Sequence, residues 1–179
     1  FGLNIETGDV DNDGLVDMLV TGYCDAYLLS QSTYPSGQTE AYLFLGASGW
    51  NATIHASNAD VIFKGRTDYA LGLTSDIGDI DNDGYDDIVL GSVAASSSIG
   101  FDGEVYVWMG RSTFEKTYDI AQSQYDHRIY NTNKTIYNSK TYNGIASSSL
   151  ELGDVNGDDY LDILIGSRYM FTTQPNSGE

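Results

Sequence analysis

The sequence predicts an all-β fold: a β-propeller of four-stranded antiparallel blades, of which this chain supplies about two and a half. Two observations lead to this prediction. A unit of about 70 residues is repeated along the chain of 179 residues. Each unit also contains short apolar runs that are bounded by glycine, a pattern that is typical of buried strands.

An aspartate-rich loop marks each repeat. The loops begin at Asp9, Asp79 and Asp154, so the repeats are 70 and 75 residues apart. An aromatic-rich segment follows in the first two repeats, at 41–46 and 105–110. A third shared element closes each unit, where the sequences of 61–65 and 135–139 resemble each other. Because these elements recur in the same order, the repeat is not a chance match.

Each unit is predicted to hold four strands, because every aspartate-rich loop separates two strands and the aromatic and closing segments add two more. No segment has the 3.6-residue periodicity of a helix. Sheets of four strands that repeat in this way are the blades of a propeller, and strands that are apolar on both faces fit blades covered by their neighbours. The predicted blades are 1–67, 68–140 and an incomplete 141–179.

The charge balance excludes two classes of partner. Acidic residues number 26 against 8 basic ones, which gives a net charge of -18. Since no lysine or arginine cluster is present, neither a nucleic acid nor an anionic membrane surface is an expected partner. The apolar runs are also much shorter than the roughly 20 residues that span a bilayer. The excess carboxylate either keeps the surface soluble or is neutralised by bound cations.

The spacing within the loops favours bound cations. Counting from the first aspartate, each loop has oxygen-bearing side chains at positions 1, 3, 5 and 9, a pattern that suits the six to eight oxygen ligands of Ca²⁺. Position 7 is expected to add a backbone carbonyl. The predicted ligands of up to three Ca²⁺ ions are Asp9, Asp11, Asp13, Leu15 and Asp17; Asp79, Asp81, Asp83, Tyr85 and Asp87; and Asp154, Asn156, Asp158, Tyr160 and Asp162.

Two other interpretations of the loops are less consistent with the sequence. Simple polar turns would place several carboxylates together, and two of them about 4 Å apart repel by roughly 4 kcal/mol at an effective dielectric near 20. An EF-hand needs a glutamate at position 12, where these loops have Val20, Leu90 and Ile165. Gly14 and Gly84 at position 6 are expected to adopt positive φ angles, which bring the later ligands back towards the ion.

The third loop departs from the other two. Asn156 replaces an aspartate ligand, and Asp159 stands where the other loops have glycine. Because affinity in such loops follows the charge of the ligands, we expect the third loop to bind Ca²⁺ more weakly.

The sequence resembles the FG-GAP repeat of the integrin α-subunit N-terminal propeller. Phe1-Gly2 and the segment 103–107 are similar to the sequences that name the repeat, and the loops match its Asp-x-Asp-x-Asp-Gly-x-x-Asp motif. The resemblance covers essentially the whole chain. The second repeat keeps only the glycine of the Phe-Gly pair, in Leu71-Gly72, and the third has Ala146-Ser147 there.

This resemblance implies a non-catalytic, calcium-stabilised module for cell adhesion or ligand recognition, located outside the cell or at its surface. Its expected partner is an extracellular protein or glycan. The family builds propellers of seven blades, so the chain is expected to be a fragment of a larger one or to complete a ring with copies of itself. Two sequons make Asn51 and Asn133 predicted glycosylation sites, as in a glycoprotein.

Three alternatives stay open at this stage. An accessory propeller of a phospholipase or polysaccharide-degrading enzyme is one, although His55, His127 and Cys24 have no evident catalytic partners in the sequence. A lectin is another, with Trp50 as a surface platform for sugars and Trp108 expected in the core. The third is a structural component of an extracellular filament or coat.

Overall fold

A computed structural model describes residues 2–22, 39–48, 53–66, 69–94, 100–101, 103–130, 135–137, 140–142 and 149–166. The fold is all-β with 50% strand, as the sequence predicts. Within these ranges the helical segments are two 3₁₀ turns, Ala56–Asn58 and Ile120–Gln122. None of the described helices is long and apolar enough to cross a membrane.

Blade 1 is an antiparallel sheet whose four strands pair in chain order. The strands are β1 (Ile5–Gly8), β2 (Asp17–Thr21), β3 (Glu40–Phe44) and β4 (Val61–Lys64). The first aspartate-rich loop connects β1 to β2. Along β2, Leu19 is fully buried on one face while Val20 belongs to an apolar cluster on the other, so the strand is apolar on both faces as expected.

Blade 2 repeats this arrangement, and blade 3 contains the pair of strands around the third loop. The remaining strands are β5 (Tyr69–Gly78), β6 (Asp87–Ala94), β7 (Gly100–Phe101), β8 (Gly103–Trp108), β9 (Thr117–Asp119), β10 (His127–Tyr130), β11 (Thr135–Tyr137), β12 (Lys140–Tyr142), β13 (Ser149–Gly153) and β14 (Asp162–Gly166). Blade 2 has the order β5-β6-β8-β10, and β13 pairs with β14. The exact bounds 1–67, 68–140 and 141–179 remain a prediction.

The outer strand of blade 2 differs from the expectation. The sequence likeness between 61–65 and 135–139 predicted that the latter segment would take this place, but β10 pairs with β8 instead, and β11 pairs with β12. An aspartate directly before each outer strand explains this pairing. Asp126 donates its N–H to Val107 and accepts one from Met109 at 2.9 Å. In blade 1, Asp60 makes the same two bonds, with Leu43 and Leu45.

One short strand crosses from one repeat to the other. β9 lies in the connection between β8 and β10 of blade 2, yet it pairs in parallel with β4, the outer strand of blade 1. Tyr118 of β9 stacks on Phe63 of β4, with ring centroids 5.6 Å apart. The connection of blade 2 therefore extends the sheet of blade 1 by one short parallel strand, and the aromatic stack supports this pairing.

Buried apolar layers join neighbouring blades. Ile88 and Leu90 of β6 face blade 1 in a cluster that includes Leu19. Val89, between them in sequence, faces blade 3 in a cluster with Leu150. Since successive side chains of a strand point to opposite faces, β6 contributes to both layers. The loops at the ends of β1, β5 and β13 are thus held beside one another by the packing of the blades.

The structure explains why the second repeat retains the glycine of the Phe-Gly pair. Gly2 and Gly72 have φ angles of 78° and 80°, in the region that favours glycine. A Cβ on Gly72 would also lie 2.8 Å from the Cβ of Thr21 in blade 1. The second repeat therefore keeps the glycine although the phenylalanine is lost. The pair Ala146-Ser147 lies outside the described residues.

Candidate metal centres

The first loop is folded around its own carboxylates. Asp9 accepts backbone N–H groups from Asp13 and Gly14, both at 3.0 Å. Asp11 accepts from Asp13 at 3.3 Å, and Asp13 accepts from Leu15 at 2.8 Å. Short polar side chains that accept nearby N–H groups stabilise such turns. The second loop has the same four bonds, which lie between 2.9 and 3.2 Å.

Two backbone positions in each loop are left-handed. Gly14 and Gly84 have φ angles of 83° and 92°, which confirms the expectation for position 6. Position 4 is also left-handed, at Asn12 and Asn82, and sequence reasoning missed this. Asparagine was the available signal, since it enters this region more readily than other residues that have a side chain.

The aspartates of the first two loops come close enough together to hold a metal ion. Carboxylate oxygens of Asp9, Asp11 and Asp17 lie within 4.8 Å of one another. In the second loop, the corresponding group consists of the side chains at positions 1, 3 and 5: Asp79, Asp81 and Asp83. In each of these two loops, the structure thus brings together three of the four predicted side chains. Asp13 lies outside the group in the first loop, and Asp87 lies outside the group in the second.

The aspartates at position 9 have a second role that the ligand pattern did not reveal. Asp17 and Asp87 are fully buried. Asp17 accepts N–H groups from Val10 at 2.7 Å and from Gly46 at 2.6 Å. Asp87 accepts in the same way from Ile80 and Gly110. Each of these carboxylates therefore joins its loop to the end of the third strand of the blade.

Burial makes the ionised form of these carboxylates less favourable. Desolvation raises the pKa of Asp17 and of Asp87, although two backbone hydrogen bonds to each oppose the shift. Burial also raises the pKa of Asp11, and the charges of Asp13 and Asp9 add to this effect. A cation among these oxygens would compensate for the desolvation and the repulsion together, which fits the chemistry of an oxygen-only cation site.

The third loop is built differently. Asp154 accepts three backbone N–H groups, of which the bond from Gly157 is 2.6 Å long. These bonds, first that from Gly157 and then that from Asp159, lower the pKa of Asp154. Asp159 is left-handed, with a φ angle of 70°, as its place at position 6 predicts. Within the described residues, no three acidic, histidine or cysteine side chains of this loop meet as they do in the other two.

Hydrogen bonds link each loop to the next. Asp86 of the second loop accepts the N–H of Asp9 at 2.8 Å and donates its own N–H to the Asp9 carbonyl at 3.1 Å. The side chain of Asn82 donates to the carbonyl of Asp159 in the third loop at 2.8 Å. A change in the conformation of one loop therefore reaches the neighbouring blade directly.

The other candidate residues that the structure describes are His55, His127 and Trp108, and each of them belongs to an element of the fold. His55 caps the turn Ala56–Asn58 by accepting the N–H of Ser57, and His127 lies on β10. Trp108 is 1% exposed and donates its indole N–H to the carbonyl of Gln124, which confirms its place in the core. Four predicted or considered residues lie outside the described part of the chain: Cys24, Trp50, Asn51 and Asn133.

Comparison with known proteins finds similar sequences among the integrin alpha chains. The chain is 26% identical over 167 residues to integrin alpha-4 of Xenopus laevis and 28% identical over 174 residues to integrin alpha-8 of Mus musculus. Each alignment covers 93% of this chain. The chain carries an integrin-alpha-like, FG-GAP region. No protein-family model matches it.

The integrin-alpha-like region is a small part of each relative. The chain spans 14% of the length of both integrin alpha chains. The likeness supports the FG-GAP interpretation of the repeat and the propeller-type blades. It concerns this stretch of sequence, so the activity and the partners of the whole proteins belong to the proposal that follows.

Proposed function

We propose that this chain is a calcium-stabilised, non-catalytic β-propeller module that acts in adhesion or ligand recognition outside the cell or at its surface. The observation that carries the proposal is the recurrence of one loop design. In the first two loops three carboxylates converge within 4.8 Å, and in all three the loop is bonded to the neighbouring blade. A cation held there would fix adjacent blades relative to each other.

Calcium is the cation that these loops suit best. They offer carboxylate and carbonyl oxygens, and Mg²⁺ would require a near-octahedral set with several retained waters. We propose that up to three ions bind. Their ligands would be Asp9, Asp11, Asp13, Leu15 and Asp17 in the first loop, Asp79, Asp81, Asp83, Tyr85 and Asp87 in the second, and Asp154, Asn156, Asp158, Tyr160 and Asp162 in the third.

A charge exchange between loops tests this assignment. Asp81→Asn gives the second loop the donor set of the third, and Asn156→Asp gives the third loop the donor set of the second. We expect calorimetric titration with Ca²⁺ to show weaker binding at the second loop in the first variant and tighter binding at the third in the other. Two exposed residues outside the loops provide the controls: Gln122→Glu adds one negative charge, as Asn156→Asp does, and Glu115→Gln removes one, as Asp81→Asn does. Calcium affinities unchanged in both loop variants would refute the assignment.

The proposal for adhesion rests on the likeness to the integrin alpha chains. The proposed ligand is an extracellular protein or glycan. The chain, immobilised on a surface, should retain cells or extracellular matrix proteins in calcium and release them in chelator. Equal retention by an immobilised unrelated acidic protein would refute the adhesive role while leaving the calcium sites untouched.

A non-catalytic role fits the described side chains. The imidazole of His55 caps a 3₁₀ turn, and the carboxylate of Glu104 is bound by Arg128 and by the hydroxyl of Tyr106. These groups are engaged in holding the fold. We further propose that the blades are bounded as 1–67, 68–140 and 141–179, and that additional blades complete the propeller, supplied by a longer chain or by copies of this one.

A further inference from the structure

Each of the three aspartate-rich loops contains an exposed asparagine: Asn12, Asn82 and Asn156. Asn12 and Asn82 are each followed by an aspartate, whereas Asn156 is followed by Gly157. The next residue matters because its backbone nitrogen can attack the side-chain amide of an asparagine, and glycine has no Cβ to hinder that approach. Asn156 therefore resembles the other two asparagines in exposure and differs from them in its expected reactivity.

The surroundings of Asn156 leave room for this attack. Gly157 is exposed as well, and no heavy atom of a non-adjacent residue lies within 4 Å of a Cβ placed on it. None of the hydrogen bonds among the described residues involves the side-chain amide of Asn156. The amide of Asn82, by contrast, donates to the carbonyl of Asp159 at 2.8 Å. Within the described part of the chain, the amide of Asn156 is thus not held away from the backbone nitrogen.

The nitrogen that would attack lies outside the sheet. β13 ends at Gly153 and β14 begins at Asp162, so Gly157 belongs to the loop between them. Its N–H donates to the carboxylate of Asp154 at 2.6 Å, a bond within the loop that no strand pairing reinforces. Exposed segments of this kind open at a lower free energy than paired strands do. A local opening of the loop therefore suffices to release the N–H, without unfolding of the blade.

We propose that Asn156 is a site of spontaneous deamidation. A base in the solvent takes the N–H proton of Gly157, and the nitrogen forms a bond to Cγ of Asn156. The bond from Cγ to Nδ2 breaks, and ammonia leaves with a proton from water. Water then opens the resulting succinimide ring. Cleavage of the new bond to Cγ gives aspartate, and cleavage of the bond to the backbone carbonyl carbon gives isoaspartate, so that water is consumed and ammonia is released.

The aspartate product changes the ligand set of the third loop. Asn156 holds position 3, where Asp11 and Asp81 belong to the groups that converge within 4.8 Å. Deamidation supplies the carboxylate that the third loop lacks at this position. Isoaspartate instead adds a carbon to the backbone and so displaces the residues that follow. The modification is independent of calcium binding, but its effect on the affinity of the third loop rests on the proposed function, and Asn156→Asp reproduces the aspartate product.

Mass spectrometry of the full chain, incubated in chelator at mildly alkaline pH, tests the proposal. Trypsin releases the peptide 141–168, in which deamidation raises the mass by the difference between OH and NH₂. Fragment ions must locate the change, because the same peptide contains Asn143-Gly144, which lies outside the described residues. The chain unfolded in urea supplies the reference rate. We expect Asn156 in the folded chain to react within about tenfold of that rate, since opening the loop then costs less than about 1.4 kcal/mol.

Gly157→Asn is the matched variant. It gives the third loop the residue that the other two have at position 4, in the same left-handed region of φ, and circular dichroism shows whether it is folded. The reaction at Asn156 should become about tenfold slower or more, because the attacking residue then carries a side chain. Asn12 and Asn82 are controls that need no substitution, and they should remain unaltered while Asn156 is half converted.

Three results would overturn the proposal. The first is a reaction at Asn156 that is slower in the folded chain than in the unfolded one by clearly more than tenfold. The second is a rate at Asn156 no higher than at Asn12, and the third is a folded Gly157→Asn variant that reacts as fast as the unaltered chain. Because the experiment is done in chelator, these results leave the calcium titration unaffected, and a failed titration leaves the deamidation unaffected.

Discussion

The carboxylate of Asp17 is fully buried and accepts the N–H groups of Val10 and Gly46. Replacing it by alanine leaves one buried and one partly buried donor without partners; the buried one costs about 1–3 kcal/mol and the partly buried one about 1–2 kcal/mol. We predict that Asp17→Ala lowers the free energy of unfolding by about 2–5 kcal/mol. Urea denaturation should be measured in chelator, so that loss of a bound ion does not contribute.

Asp162 offers a matched control for that experiment. It holds the same position in the third loop, but it is half-buried and accepts the N–H of Val155 at 3.1 Å. Asp162→Ala should cost about 1 kcal/mol, the typical contribution of one hydrogen bond. Equal losses at the two positions would show that Asp17 has no special structural role beyond the loop itself.

Glu6 gives a prediction for the dependence of stability on pH. Burial raises the pKa of Glu6, a hydrogen bond from Ser75 opposes the shift, and the charges of Asp76 and Glu151 add to it. Because the pKa is higher in the folded state, the free energy of unfolding falls as pH rises from about 4.5 through the raised value. Glu6→Gln, measured in chelator, should flatten this slope and raise the melting temperature at pH 7.

Glu115→Gln is the control for the pH experiment, since Glu115 is exposed and the substitution changes the net charge equally. It should retain the slope of the unaltered chain between pH 4.5 and pH 7. Identical slopes for the two variants would contradict the explanation based on the burial of Glu6.

At the scale of the element, β9 joins blade 2 to the outer edge of blade 1. Tyr118 stacks on Phe63 and lies edge-on to Trp108, with centroids 6.4 Å apart. We predict that Tyr118→Ala costs about 2–4 kcal/mol of unfolding free energy, somewhat less than truncation of a fully buried aromatic residue. Chemical denaturation measures this loss.

Tyr130→Ala is the comparison for β9. Tyr130 is 52% exposed and carries the guanidinium of Arg128 over its ring at 4.4 Å, a contact worth about 0.5–1 kcal/mol at such a site. Tyr130→Ala should therefore lower the free energy of unfolding clearly less than Tyr118→Ala does. A loss at Tyr118 no greater than at Tyr130 would mean that β9 contributes nothing to the junction between blades.

The sequence predicted the strands next to the aspartate-rich loops because both signals are local. The left-handed glycines followed from their place in the loop, and the strands on either side followed from their apolar runs. The outer strand of blade 2 was missed because its position depends on Asp126, whose partners are Val107 on β8 and Met109 directly after it. The pairing of β9 depends on an aromatic stack between repeats, which no local pattern contains.

The candidate metal centres were predictable to the same degree. Spacing alone predicted side chains that come together in the first two loops, where three of the four predicted carboxylates converge, since they are neighbours on one short loop. Spacing did not reveal that Asp17 also bonds Gly46, 29 residues away, or that Asp86 bonds the first loop from the second. These contacts depend on the packing of blades, which emerges only when the whole chain is folded.

At the scale of the whole molecule, loops and blades form one connected structure. Asp86 joins the first loop to the second, and Asn82 joins the second to the third. Because ions bound only by the folded chain stabilise it by mass action, each site gives about 2.7 kcal/mol at a hundredfold excess over its dissociation constant. Two occupied sites would therefore raise the melting temperature by roughly 10–20 °C for a chain of this size.

The melting temperature in calcium compared with that in chelator tests the central claim most directly. The account predicts a higher melting temperature in calcium by roughly 10 °C or more for the unaltered chain. The difference should shrink strongly in the double variant Asp11→Ala, Asp81→Ala, which removes one carboxylate from each of the two groups that converge. Equal melting temperatures in calcium and in chelator, for a chain shown to be folded in both, would contradict it.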